Sequence, residues 1–285
     1  MKRNFLMIPG DFSRYDRSRV VVLPVPYERT SSWMKGSGRG PRAIIRASRN
    51  LELYDIETGF EVYREGIHTH APLHCGRGER MVSRVRSAVG RFLDDGKFVV
   101  VLGGEHTVSA GVVAAFVERY PGLGVLHLDA HTDLRDSYEG DRYSHACAMA
   151  RVGELVATVV SVGIRSMDAG ERKSLPEGRV FFARDIVGST HWVQGVIDAL
   201  PERVYVSIDL DVFDPSVVPS VGTPEPGGLD WYDVTSLLRK TAEHREIVGA
   251  DIVELCPARA RIKSKASDFL AAKLVYKFLS YRYSQ

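Results

Sequence analysis

Two acidic clusters in this chain each begin where a short apolar run stops. Asp129, His131 and Asp133 follow Gly124-Val125-Leu126-His127-Leu128, and Asp209 and Asp211 follow Val204-Tyr205-Val206-Ser207-Ile208. A third run, Phe98-Val99-Val100-Val101-Leu102, ends in Gly103-Gly104-Glu105-His106. The runs read as buried strands: short, rich in β-branched residues and bounded by turn residues. Open α/β sheets bind ligands at the carboxyl ends of their strands. Carboxylates gathered there repel one another unless cations neutralise them. Side chains alternate along a strand, so Asp129, His131 and Asp133 can share one side, as can Asp209 and Asp211.

The candidate metal ligands are therefore His106, Asp129, His131, Asp133, Asp209 and Asp211. Six side chains are too many for one tetrahedral zinc but suit two ions that share bridging carboxylates. A majority of carboxylates over imidazoles favours manganese over zinc. Four carboxylates balance the formal charge of two divalent ions, so the expectation is two Mn²⁺ per chain. A water shared by two such ions becomes a nucleophile near neutral pH. Glu105 adjoins His106 and reads as orienting it rather than as a ligand. His127, flanked by Leu126 and Leu128, reads as a satisfied core histidine or as support for a ligand.

These residues resemble the three metal motifs of the ureohydrolase family, which includes arginase and agmatinase. Tyr143-Ser144-His145 is similar to that family's catalytic histidine segment. Gly222-Thr223-Pro224-Glu225-Pro226-Gly227-Gly228-Leu229 resembles the loop after the second aspartate pair. Gly249-Ala250-Asp251-Ile252-Val253-Glu254 resembles the strand that ends in a guanidinium-binding glutamate, and Gly40-Pro41-Arg42-Ala43-Ile44 the start of the first helix. The motifs span nearly the whole chain in the family's order.

The resemblance implies hydrolysis of a guanidino compound to urea and an amine. One metal would take His106, Asp129, Asp133 and Asp209, and the other Asp129, His131, Asp209 and Asp211. Glu254 would hold the guanidinium, Thr223 would lie against the substrate, and Asp133 would relay a proton with His145 as its shuttle. Arginases read an amino acid partly through an asparagine two residues beyond the last aspartate of the first cluster. Here that position is Arg135, which points to agmatine, giving putrescine and urea. Aminopropylagmatine, guanidinobutyrate and arginine stay open as substrates. A mononuclear zinc deacetylase of the same fold family lacks the full dinuclear set, and a non-catalytic metal-binding homologue has no need of His145 and Glu254.

The elements that must position these residues alternate. Strand-like runs near Val20–Leu23, Phe98–Leu102, Val125–Leu128, Val159–Gly163, Val180–Ala183, Val204–Ile208 and Ile247–Val253 are separated mostly by helical patterns. Alternation predicts an α/β fold: a single three-layer αβα domain over residues 1–285, with a mainly parallel, doubly wound sheet. Continuously apolar runs are those of strands buried on both faces. A helix is expected from about Thr107 to Arg119. Another runs from about Ser267 to Tyr281, with Phe269, Leu270, Leu274, Val275, Phe278 and Leu279 on one apolar face. Pro41 suits the first turn of a helix. The preceding Gly36–Gly40 segment reads as a mobile loop that the resemblance places near the substrate entrance.

The composition is that of a globular protein. Its 44% hydrophobic and 26% charged residues are ordinary. A net charge of +2 with dispersed basic residues leaves no footprint for nucleic acid. No apolar run is long enough to cross a membrane, and the apolar part of the start is too short for a signal peptide. The expected location is cytoplasmic. The resemblance implies a homo-oligomer, trimer or hexamer. Cys75, Cys147 and Cys256 form neither a disulfide framework nor a zinc site; Cys147 and Cys256 read as small wall residues. His68, His70 and His74 have no acidic partner at ligand spacing and read as a surface loop.

Overall fold

The computed structural model describes residues 4–257 and 264–285. Eight strands form one sheet: β1 (Val20–Val25), β2 (Ile67–Thr69), β3 (Phe98–Gly103), β4 (Gly124–Leu128), β5 (Thr158–Ile164), β6 (Val180–Phe182), β7 (Arg203–Asp209) and β8 (Glu246–Val253). Their order is β2-β1-β3-β8-β7-β4-β5-β6, and every pairing is parallel. The four strands whose ends carry the candidate site, β3, β8, β7 and β4, are thus consecutive at the centre. The expected αβα architecture is observed, with the sheet wholly rather than mainly parallel.

The central strands are mostly apolar because each feeds two cores. Val20, Val22, Val100, Leu102, Leu126, Leu128, Val204 and Val206 pack on one face beneath the helices Gly40–Ala47, Trp192–Ala199, Trp231–His244 and Ala266–Tyr283. Val21, Leu23, Val99, Val101, Val125 and Tyr205 pack on the other beneath Glu79–Asp94 and Val108–Val117. A period-2 strand divides its side chains between both layers, so burial on both faces removes any polar alternation.

Four expectations about these elements need correction. His68 lies in β2, paired with Val21 of β1, rather than in a surface loop. Three residues, two of them polar, give too short a run to read as a strand. The last helix spans Ala266–Tyr283, but Phe269 on its expected apolar face is 44% exposed. Lys277 is buried instead, because Asp55 meets its ammonium at 2.9 and 3.0 Å and Glu57 at 2.5 Å. The Gly36–Gly40 segment is built in rather than a free loop: Glu28 accepts from the Gly36 and Gly38 N–H groups, and Ser37–Arg39 form a 3₁₀ turn. The helix after β3 is Val108–Val117, shorter than expected.

Candidate metal centre and substrate cavity

The turn after β3 must pass close to a neighbouring loop, and the two glycines allow it. A Cβ at Gly104 would lie 1.9 Å from the Tyr27 carbonyl oxygen. His106 then enters the sheet mouth almost fully buried. Its Nε2 lies 2.9 Å from Ser207 Oγ, and Ser207 in turn donates to Asp251 Oδ1 at 2.8 Å. Because the Ser207 hydrogen is committed to Asp251, its oxygen accepts from Nε2–H. That leaves Nδ1 facing Asp129 Oδ2 at 3.0 Å, Asp133 Oδ2 at 3.1 Å and Asp209 Oδ2 at 3.6 Å. Nδ1 has no hydrogen-bond partner in this arrangement.

A second focus forms around His131. Its Nδ1 lies 2.9 Å from Asp211 Oδ2 and 3.5 Å from Asp129 Oδ1. Asp129 therefore presents one oxygen to each histidine, the geometry of a bridging carboxylate. Asp209 accepts from the Asp211 N–H at 2.8 Å, and Asp211 Oδ1 accepts from the Ala130 N–H at 2.9 Å, which ties the ends of β7 and β4 together. His127 Nε2 contacts Asp129 Oδ2 at 2.8 Å, and its Nδ1 meets Ser161 Oγ at 3.0 Å. It supports a candidate ligand, as expected.

The electrostatics call for positive charge. Burial, and then Asp211 and Asp129, push the Asp209 carboxyl well above the usual range. Burial and Asp129 likewise raise Asp211. Burial opposes the charged form of His106, yet Asp129 and Asp133 raise its imidazole well above its ordinary value. Burial opposes ionisation of Asp129 too, but His127 and then the neighbouring His106 and His131 hold its carboxyl well below the usual range. A bare imidazole nitrogen ringed by carboxylate oxygens, with no hydrogen bond, is a donor set that fits divalent cations. Among the described residues, the groupings of metal-ligand type are His106, His127 and Asp129, and Asp129, His131 and Asp211.

Above this floor opens a cavity of about 240 Å³, lined by His106, His131, Asp133, Asp209 and Asp211 and by the other expected site residues His145, Thr223 and Glu254. All are brought together. Trp33, Arg135, Tyr138 and Asp168 line it as well. Glu254 follows β8 with φ of 63°, and Asp133 has φ of 51°. Two non-glycine residues in the left-handed region at one site mark local strain held by the surrounding structure. Burial, then the charge of Glu105, push the Glu254 carboxyl well above its ordinary range. His145 is held by Thr30, whose hydroxyl accepts from the His145 N–H at 3.0 Å and lies 3.3 Å from Nδ1.

Glu105 does not orient His106. It reaches across to the loop before the first helix and accepts from the Arg29, Thr30 and Ser31 N–H groups and from the Thr30 and Ser31 hydroxyls. The supports for His106 are Ser207 and Asp251. Both lie inside expected strands, where nothing local sets a buried polar residue apart from its apolar neighbours.

The Arginase family model matches residues 18–280 of this chain. The chain belongs to the arginase family. It is a metal-dependent hydrolase of the ureohydrolase type. It is 39% identical over 281 residues to the N(1)-aminopropylagmatine ureohydrolase of Synechocystis sp., covering 94% of this chain and 90% of that one. With the agmatinase of Bacillus anthracis it shares 35% identity over 249 residues, 85% of each chain. Its fold superposes on the agmatine ureohydrolase of Thermoplasma volcanium with a TM-score of 0.88, at 32% identity, over 100% of this chain and 95% of that one. Among the described residues, no helix of this family member is long and apolar enough to cross a membrane.

Proposed function

We propose that this enzyme hydrolyses the guanidinium group of N(1)-aminopropylagmatine, and of the shorter agmatine less efficiently, with two Mn²⁺ ions as cofactor. The carrying observation is the pair of histidine–carboxylate foci sharing Asp129 beneath a cavity that also holds Glu254 and Asp168. Three relatives named for aminopropylagmatine are 39 to 40% identical and a fourth, from Thermococcus kodakarensis, 34%, against 35% for the agmatinase of Bacillus anthracis; the three higher identities support the longer substrate over agmatine.

His106, Asp129, Asp133 and Asp209 would hold one ion, and Asp129, His131, Asp209 and Asp211 the other. Such ions supply a nucleophile from water near neutral pH and stabilise developing negative charge. The chain does the rest. A guanidinium is a weak electrophile and is repelled by a cationic floor. Glu254 offsets that repulsion and orients the planar group by a two-point, charge-assisted hydrogen bond. Oε1 already accepts from the His106 N–H at 2.9 Å but keeps a second lone pair, and Glu254 lines the cavity. Asp133 is placed to carry a proton to the leaving amine. His145 exchanges that proton with solvent, its Nδ1 beside Thr30 and its Nε2 3.4 Å from Ser32 Oγ.

Asp168 also lines the cavity. Its side chain is 52% exposed, with Arg135 3.7 Å away. A carboxylate there suits an ammonium tail and disfavours the carboxylate of arginine. The test is urea release with Mn²⁺ from aminopropylagmatine, agmatine, guanidinobutyrate and arginine. The expected order of kcat/KM places aminopropylagmatine first and arginine at least about tenfold below agmatine, the scale of an unpaired buried charge. Arginine turned over as well as the two amines would overturn the assignment.

A further inference from the structure

Arg165 leaves the end of β5 and spends its whole guanidinium on backbone carbonyls. Nη1 donates to Gly163 O at 3.0 Å and Val212 O at 3.3 Å. Nη2 donates to Asp211 O at 2.6 Å, Glu225 O at 2.9 Å and Phe213 O at 3.3 Å, and Nε donates to Glu225 O at 3.2 Å. The backbone N–H groups of Arg165 and Ser166 both donate to Ala130 O, at 2.8 and 3.0 Å. One residue thus grips three separate segments: the Asp129–His131 turn, the Asp211–Phe213 turn and the loop at Glu225. Gly228 belongs to the same packing, since a Cβ there would lie 2.7 Å from Arg165 Nη2 and 2.5 Å from the Asp214 nitrogen.

All these contacts fall on one side of the acidic floor. Ala130 separates Asp129 from His131, Asp211 faces His131 Nδ1 at 2.9 Å, and Glu225 Oε1 lies 3.7 Å from His131 Nε2. None of the contacts touches His106 or Asp133. The guanidinium is also a fixed positive charge facing Asp211, Asp129, Glu225 and Asp214.

We propose that Arg165 is a positioning residue that sets the Asp211 turn and the Glu225 loop against His131, and so governs the affinity of the second cation and not the first. This rests on the two-cation reading given above. A planar guanidinium can span five carbonyls in fixed directions, whereas an ammonium offers three donors from one point. Arg165→Lys keeps the charge and loses the span.

Metal-free wild type, Arg165→Lys and Arg245→Lys are titrated with Mn²⁺ by calorimetry, and their melting temperatures compared. Arg245 is the control. It likewise caps carbonyls, at Leu200, Ile197 and His244, but touches no site residue. In Arg165→Lys one of two Mn²⁺ sites should weaken about tenfold or more, the scale for residues supporting metal ligands. The other site should stay within about twofold, and the melting temperature should fall no further than in Arg245→Lys. Equal loss at both sites, or at neither, overturns the proposal. Should Arg165→Lys fail to fold, Gly228→Ala, which pushes the loop off an intact Arg165, must show the same one-site loss. Fewer than two ions bound by wild type would instead sink the two-cation reading itself.

Discussion

The backbone N–H of His106 donates to Glu254 Oε1 at 2.9 Å, so the turn after β3 and the end of β8 are tied at their functional residues. The Glu254 N–H returns the link by donating to Gly104 O at 2.7 Å. The group proposed to bind the guanidinium therefore also steadies a proposed metal ligand.

That link separates two substitutions at one position. Glu254→Gln keeps an oxygen for the His106 N–H but loses the charge and turns a donor toward the substrate's own donors. Its kcat/KM should fall at least about 100-fold, since a charge-assisted hydrogen bond contributes about 1.5–3 kcal/mol and two are involved. Its metal content should stay at the wild-type level. Glu254→Ala removes the acceptor as well and should weaken the His106-side metal. Steady-state urea release, with elemental analysis of the same preparations, checks both. Near-normal turnover in Glu254→Gln would remove Glu254 from substrate binding.

Asp129 gives one oxygen to each focus, so Asp129→Ala should damage both metal sites, whereas His106→Ala should chiefly weaken one. Asp209→Ala is expected to behave as Asp129→Ala does. The measurement is Mn²⁺ stoichiometry after dialysis against micromolar metal. A single tightly held zinc in the active wild type would be incompatible with the paired-ion scheme.

The strand ends and the six candidate ligands were legible because each acidic cluster interrupts an apolar run, and an interruption is a local signal. The central order β3-β8-β7-β4 was not, because β8 lies far along the chain from β3 and no local pattern encodes which strands pair. The same limit hid Glu105. Its five donors come from residues 29–31, more than seventy positions away, and from the sequence it could only be assigned to its neighbour His106. Arg165 carries no local signal either, because the carbonyls that close around it belong to segments distant in sequence. Phe269 left its expected apolar face, and Lys277 is buried on the same helix because Asp55 and Glu57, far away in sequence, supply the charge that makes a buried lysine tolerable.

Asp214 anchors the loop that carries Thr223. Its carboxylate accepts from the Ser216 N–H at 2.9 Å, the Gly227 N–H at 2.8 Å and the Gly228 N–H at 3.2 Å. Hydrogen bonds from Ser216, then from Gly227 and Gly228, hold its pKa down to about 2, against an ordinary 3.8. A depressed folded-state pKa means the ionised form stabilises the fold. That stability is fully present above the unfolded value and is lost as pH falls through about 2. Asp214→Ala should therefore melt lower than wild type at pH 7, and the gap should narrow between about pH 4 and pH 2. A gap that stays constant over that range would show that the charge of Asp214 does not hold the loop.

Cys147 stands two residues past His145, where a reactive thiol would be easy to imagine. The structure buries it completely, and burial followed by the charge of Asp133 pushes its pKa up to about 11. A thiol is nucleophilic only as thiolate, so at pH 8 Cys147 is both protonated and shielded. Its Sγ has one weak contact, 3.8 Å from Asp141 O. In native protein treated with iodoacetamide at pH 8, mass spectrometry should find Cys147 unmodified. It should become labelled only after denaturation, while the partly exposed Cys75 reacts first. Cys147→Ala removes one buried sulfur and should lower the melting temperature slightly, with kcat/KM kept within about threefold, because the wall it forms carries no chemistry. Rapid native alkylation of Cys147 accompanied by loss of urea release would return the thiol to the active site and end the packing explanation.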